Sequence, residues 1–414
     1  MHVDVFIARK LKGDSTTVGK ISRMGTRIAT VSVAVSVFTM ILSVAVVRGF
    51  RKEIENRATG FTGEILMEAP GAGFVTEPIP VSMNLSYLPE LKNHPDIAHL
   101  HEFVTSYGII RTDEAIQAIS LKGVGPSYKW DFFERHLAEG RIPALTDSSS
   151  SSEVLISGRL SAMLGVGVRD VVTMYFIGEN VRMRRFIVSG IYDAQLEDID
   201  NHLVMGDIRH TQRLNGWEPD QVSGMEIFLQ EHIGTESARE HIEDFIISNT
   251  GDSDDGVVLR SIRRIYAHLY DWLDLMDINV AVLLTLMVLV AGFNMMSGLL
   301  ILLFEKTSTI GLLKAVGMKD RNIRNSFLYN AAVVAVRGMI AGTVPALIFL
   351  FLQDTCQLIP LDPVSYFVDS VPVDISWFHI LIVDVAAVGA LLLILMMPLK
   401  SIIRINPGTA IRMR

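Results

Sequence analysis

Two uncharged stretches decide what this chain can become. Between Arg27 and Arg48 run 20 residues without a charge, IATVSVAVSVFTMILSVAVV, and between Asp277 and Glu305 run 27, from Ile278 to Phe304. A helix rises about 1.5 Å per residue, so about 20 apolar residues cross the hydrocarbon core of a bilayer. Buried helices of soluble proteins rarely stay apolar for so long. Two further runs, 327–353 and 375–398, reach the same length if each tolerates one charge, Arg337 in the first and Asp384 in the second. Four transmembrane helices are therefore predicted, at 28–47, 278–304, 327–353 and 375–398. The first is followed by GFRKEIENR and by no small-residue cleavage site, so it reads as a retained anchor and not as a signal peptide.

Charge orients the four spans. Six Lys and Arg precede the first (Arg9, Lys10, Lys12, Lys20, Arg23, Arg27), five lie in the 305–326 loop, and four in the tail 399–414. The 354–374 loop has none and carries Asp354, Asp362, Asp369 and Asp374. Positive residues stay inside, so both termini and the 305–326 loop are expected in the cytoplasm. Arg48, Arg51 and Lys52, just outside the first span, oppose this and are outvoted.

That leaves 48–277 outside. From Arg51 to Asp277 there are 20 Lys plus Arg against 36 Asp plus Glu, a balance of −16, while the whole chain carries −8. An acidic surface without a basic stripe excludes nucleic acid as a partner. The one cysteine, Cys356, allows no internal disulfide, so a hydrophobic core must hold the outer domain together. Strand-like stretches dominate it (GEILMEA, AIQAISLKGV, VVTMYFI, RRFIVSGIY, GMEIFLQ). RLSAMLG and ESAREHIEDFI read as helices between them. The domain is expected to be α+β, in two lobes separated by the polar loop TDSSSSSE at 146–153. Phe50, Ile54, Ala58 and Phe61 continue the first span outward at helical spacing. Ile262, Ile265, Tyr266, Leu269, Trp272, Leu273 and Met276 lead into the second in the same way. The outer domain is thus an insertion carried on two amphipathic stalks. At the other end, Val3, Phe6, Ile7 and Leu11 give residues 1–27 an apolar face suited to the cytoplasmic headgroup layer.

Motifs for chemistry fail on inspection. GDSTTVGKIS, 13–22, has five residues rather than four between Gly13 and Gly19, Ile21 where a magnesium-binding hydroxyl belongs, and no strand before it. The chain is not expected to hydrolyse ATP by itself. No H-E-x-x-H, paired cysteine or G-x-S-x-G appears, so no catalytic residue, resident cofactor or metal site is assigned. Glu197, Asp198, Asp200 and His202 read as a solvated acidic turn in preference to a cation site.

Two features demand an account. A charge near the bilayer centre costs about 3 kcal/mol on insertion scales. Arg337 and Asp384, counted from the inner ends of their spans, differ in depth by about 6 Å, within reach of an arginine side chain. They either pair within the membrane or each face a wet cavity. Gly338 and Gly342 form a small-xxx-small face beside Arg337. The second feature is GLLKAVGMKDRNIRNSFLYN, 311–330. Thr309 can cap a helix through Val316, Gly317 can end it, and Asp320 can cap the next. Such a helical elbow, apolar at Ile310, Leu312, Leu313, Ala315, Val316 and Met318 and rimmed by Lys and Arg, either docks a protein or lies on anionic lipid.

The FEKTSTIGLLKAVGMKDRNI stretch resembles the loop after the second span of FtsX-type permeases. VVRGFRKEI, EVLISGRLSAMLGV, RRFIVSGIYDAQLEDIDNHLVMGDIRHTQRL, WLDLMDINV, AGFNMMSGLLIL, IPLDPVSYFVDSVPVDISW and the closing INPGTAIR extend the likeness to the lipoprotein-releasing permeases of LolC and LolE type. The resemblance implies a four-span inner-membrane permease of MacB-like architecture that pairs with a second permease chain, identical or paralogous. It implies two copies of a separate ABC-type ATPase, which binds the ATP and Mg. Lipoprotein cargo, a periplasmic lipoprotein carrier and membrane lipids complete the implied partners. It carries the ATPase contact over to Glu305, Ile310, Gly311, Leu313, Lys314, Ala315, Gly317 and Met318. An FtsX-like regulator of cell-wall hydrolases and a MacB-like exporter share the architecture.

Overall fold

The computed structural model describes residues 17–72, 78–112, 115–176, 181–230, 233–251, 254–362, 366 and 368–399, with the side chains of 17–23 and 197–198 left undescribed. The N-terminal amphipathic segment is therefore described only from residue 17, and the INPGTAIR tail lies outside these residues. The chain divides into two units: Met1–Lys52 with Trp272–Leu361 and Ser370–Arg414, and Glu53–Asp271 with Asp362–Asp369.

The first unit is built on α1 (Thr17–Thr62), α5 (Ala267–Glu305), α7 (Asp320–Cys356) and α8 (Trp377–Leu399). All four are long and apolar enough to cross a membrane. Their shared core holds Val33, Val37, Ile41, Met295, Ala335, Leu350 and Leu395, nearly sealed from solvent. Small residues set the closest contacts. A Cβ on Gly338 would stand 2.7 Å from the Val33 side chain and 2.9 Å from the Thr30 carbonyl, so α7 lies directly on α1 there. Asn294 Nδ2 donates to Ser32 Oγ at 2.7 Å, a polar tie between α5 and α1. Met40 and Met295 are buried, while Met287 and Met296 pack at the core's edge, so the methionines act as core filler.

The cations beyond the first span are neutralised where they stand. Arg51 Nη2 lies 2.7 Å from Asp274 and 2.8 Å from Asp277, and Asp374 takes Arg48 at 3.2 Å and Lys52 at 3.7 Å. The outer ends of α1, α5 and the loop before α8 are thereby laced together.

The second unit is a sheet with helices on it. Its strands are β1 (Ile65–Glu68), β2 (Val81–Ser82), β3 (Ile97–Arg111), β4 (Ile116–Val124), β5 (Leu137–Gly140), β6 (Glu153–Ser157), β7 (Val171–Phe176), β8 (Arg182–Tyr192), β9 (Leu203–Asp207), β10 (Gln221–Val222), β11 (Gly224–Leu229) and β12 (Val258–Ser261). The order β12-β1-β11-β3-β4-β9-β6-β8-β5 is closed on itself by β7, which pairs with both β3 and β8. Strands β3, β4, β9, β6, β8 and β7 therefore form a ring. The ring encloses a core of Leu121, Val154, Ile156, Leu160, Met174 and Val188. The open arm β12-β1-β11-β3 covers a second core, with Ile65, Met67, Leu91, Met225 and Ile227 packed against Ala238 and Ile242 of α4 (Thr235–Asn249). The 15-residue β3 serves both: its first half pairs with β11 and its last residues with β7.

Two strand–helix units repeat one local logic. Ser157 ends β6 and accepts from the Leu160 amide at 3.0 Å, opening α2 (Gly158–Leu164), which stops at Gly165 with φ 64°. Asp207 ends β9 and accepts from the Arg209 amide at 2.9 Å, opening α3 (Ile208–Asn215), which stops at Gly216 with φ 75°. A side-chain N-cap and a left-handed glycine satisfy the backbone groups that each helix end strands. The seryl loop at 146–153 is pinned by Arg209, whose Nη2 donates to the Ser149 carbonyl at 2.7 Å.

Candidate functional site

The elbow of the first unit consists of α6 (Thr307–Ala315), a turn, and the start of α7. Gly317 adopts φ 93°, the left-handed region glycine tolerates without a Cβ penalty. The Gly317 amide bonds to the Lys314 carbonyl and the Met318 amide to the Leu313 carbonyl, both at 3.0 Å. This is the paired Schellman closure, and Leu313 and Met318 both pack on the membrane core as that motif favours. The helix begins two residues before Thr309, and Thr309 does not cap it. Asp320 sits inside the first turn of α7 and bonds ionically to Lys314 at 2.9 Å, bracing the two arms instead of capping the second.

Of the eight residues expected to meet an ATPase, the structure turns only some outward. Ile310 and Gly311 are buried, Ile310 in the cluster that holds Ile323 and Phe327. Leu313, Lys314 and Met318 are half-buried, and Ala315 and Gly317 are exposed. Glu305 is nearly covered, 3.6 Å from Lys306, with its second oxygen buried and unbonded among the described residues. The outward apolar surface is Leu312 and Val316, 59% and 81% exposed, flanking Ala315. The motif alignment passes over both because it records which positions are shared, not which way they face. At 100° per residue, 312, 315 and 316 share the face opposite Ile310.

Arg337 and Asp384 are not brought together. Asp384 is buried and accepts from Thr343 Oγ1 at 3.0 and 3.1 Å, while Arg337 is exposed on α7, with no ion pair among the described residues. Thr343 stands six residues beyond Arg337, about 9 Å along the helix and some 120° around it. Depth counting placed the charges at similar levels and could not see that they occupy different faces. The small face beside Arg337 is real, and it meets α1.

In the second unit, the end of α1 is gripped by polar groups the sequence reading missed. Lys122 on β4 donates to the Phe61 carbonyl at 2.5 Å and forms a buried ion pair with Glu226 on β11. Its ammonium also lies 5.5 Å from the Phe103 ring centre. Burial pushes the Glu226 carboxyl up, against the pull of Lys122. Arg57 donates to the Ala194 carbonyl at 2.9 Å and to Gln195 Oε1 at 2.8 Å. Ile54, Ala58 and Phe61 are buried, as their spacing predicts. The signal for the ion pair was present in the sequence: one charge of each sign in two otherwise uncharged strands. In the acidic stretch after it, Asp200 turns inward and accepts from the Leu196 amide at 3.0 Å. No metal-holding cluster occurs among the described residues.

Four membrane-length helices, an inserted α+β unit and an elbow with an outward apolar face define a multi-span permease. Residues 26–245 match the MacB-like periplasmic core domain, and residues 281–407 match the FtsX-like permease C-terminal region. The first match takes in more than half of the chain, which belongs to the family of the MacB-like periplasmic core domain, joined here to an FtsX-like permease region. The chain is 21% identical over 397 residues to the lipoprotein-releasing system transmembrane protein LolC of Xylella fastidiosa, covering 92% of each. It is 22% identical over 412 residues to LolE of Haemophilus influenzae, again covering 92% of each. It is 24% identical to the pyoverdine export ATP-binding/permease protein PvdT of Pseudomonas entomophila, covering 79% of this chain and 50% of that one.

Proposed function

We propose that the chain is the inner-membrane permease subunit of an ABC transporter that extracts lipoproteins and hands them to a periplasmic carrier. The observation that carries this is the reach of the LolC and LolE likeness, which runs through the spans and the outer unit alike and covers 92% of both partners in each comparison. The likeness to the export protein stops at half of that protein's length. Energy comes from two copies of a separate ATPase that bind ATP and Mg and dock on Leu312, Ala315 and Val316. A second permease chain completes the transporter.

Physical need supports the reading. An acyl chain leaves a bilayer at about 0.8 kcal/mol per methylene, so several chains demand an external source of work. Helix α1 runs unbroken through Thr62, where Lys122, Arg57 and the Phe61 contacts fasten it to the sheet. Displacement of the elbow has, in α1 and α5, stiff elements along which to travel. Depletion of the chain followed by fractionation of lipoproteins tests the proposal. Lipoproteins should accumulate in the inner membrane; if they still reach the outer membrane at the normal rate, the reading fails.

A further inference from the structure

A cavity of about 680 Å³ opens in the second unit beside the last turns of α1. His99 forms part of its wall, stacked on Phe228 with ring centres 4.3 Å apart and planes 16° from parallel. Burial, and then the charge of Lys129, pull the His99 imidazole down to about 4, while Asp131 pulls the other way. The ring is neutral at physiological pH, and both side chains stand close enough to act on it. Yet neither the Lys129 ammonium nor the Asp131 carboxylate has a hydrogen-bond or ion-pair partner among the described residues, although only one residue separates them in sequence.

Two more groups line the same space. Ser261, 1% exposed, lines the cavity with a buried hydroxyl that has no partner among the described residues. Buried hydroxyls are rarely left so in native proteins unless a water, ion or ligand completes them. Thr235 and Glu236, the first turn of the 15-residue α4, also line it, and the N-cap there is Gly234, which offers no side-chain acceptor. The first-turn amides of such a helix favour an anion.

A plain anion would meet the carboxylates of Glu55, Glu64, Asp131 and Glu236, and a plain cation would meet Lys129, Arg135 and Arg263. A zwitterion satisfies both sets. We propose that this cavity binds a phosphoethanolamine group, its phosphate held by Lys129, the α4 amides and Ser261, and its primary ammonium by Asp131. The group can arrive as a lipid headgroup or as a free phosphate ester. The inference is independent of the cargo reading, since its test contains no lipoprotein.

The full chain is placed in phosphatidylcholine nanodiscs, with empty discs as blank. It is titrated with dihexanoyl-phosphatidylethanolamine, its choline counterpart, O-phosphoethanolamine and inorganic phosphate, read by calorimetry and by tryptophan fluorescence, since Trp130 lies between the two unpaired charges. Saturable binding of an ethanolamine ester at least tenfold tighter than the choline ester or phosphate is expected. Binding of the chain-bearing ester alone assigns a lipid source, and equal binding of O-phosphoethanolamine a soluble one. Lys129→Ala and Asp131→Asn, both on exposed side chains, should each weaken binding at least fivefold without moving the melting temperature. The proposal is overturned by equal affinity for the choline ester or inorganic phosphate, by no saturable binding, or by variants that bind like the parent.

Discussion

Replacing Lys122 by Met removes the cation that faces Glu226 and uncaps the Phe61 carbonyl at the end of α1. Methionine fills the stem's volume, so the perturbation is electrostatic. Deleting one partner of a buried ion pair costs about 3–5 kcal/mol, because the other charge is left in a poor solvent. In a unit of this size about 1 kcal/mol moves the melting temperature by about 2–4 °C, so a loss of about 6–20 °C is expected. The sign with pH is fixed by Glu226. Burial already holds its folded carboxyl above the ordinary value, so the stability it contributes is present below that value and lost as pH rises through the folded one. Without Lys122 the folded value climbs further, and the deficit should shrink on acidification toward pH 5. Lys122→Met with Glu226→Leu should recover most of the loss, since a well-packed apolar pair replaces a buried ion pair at little cost. Differential scanning fluorimetry of the full chain, with hydrogen exchange of residues 53–62 to localise the effect, measures all three. If the single variant melts within 1 °C of the parent, or if the double variant is as weak as the single, the pair does not hold the end of α1.

Four other outcomes follow from the geometry. Val316→Asp places a charge on the outward face of the elbow, so co-purification of the ATPase should fall at least tenfold with folding intact. Ile310→Ala, in the buried row, should instead destabilise the elbow by about 2–5 kcal/mol, seen as faster exchange across 307–318. Burial pushes the Asp200 carboxyl up to about 7 from its ordinary value near 4, so the stability it contributes is lost as pH rises through about 7. Asp200→Asn should therefore flatten the stability profile between pH 5 and 8, and an unchanged slope would count against the assignment. Gly338→Leu drives a side chain into Val33 and the Thr30 carbonyl, and cysteine crosslinking between α1 and α7 should report their separation.

The spans, the face of the first stalk and most strands were legible because each depends on local pattern: length without charge, a period near four, or a period of two. The second stalk was expected as one helix from Ile262, but a break at Tyr266 separates Ile262–Ile265 from α5. The elbow's turn was legible too, since only glycine suits φ 93° at position 317. What escaped depends on partners far apart in the chain. Lys122 and Glu226 stand 104 residues apart and meet because β4 and β11 both pair with β3. Arg337 and Asp384 looked matched by depth, but depth carries no azimuth, and Thr343 occupies the position that faces Asp384. The elbow's outward face was legible only in part: Leu312 and Val316 stood among its apolar residues, but their exposure depends on Ile310 choosing the core, which the local pattern does not fix.

Strand β3 is common property of two hydrophobic interiors, and that constrains how the outer unit can be taken apart. A cut anywhere along Ile97–Arg111 deprives both interiors of a wall, so neither half is a candidate for separate expression. Mechanical load arriving at one half reaches the other along a continuous strand, and again through α3, whose Ile208 lies in one interior and Leu214 in the other.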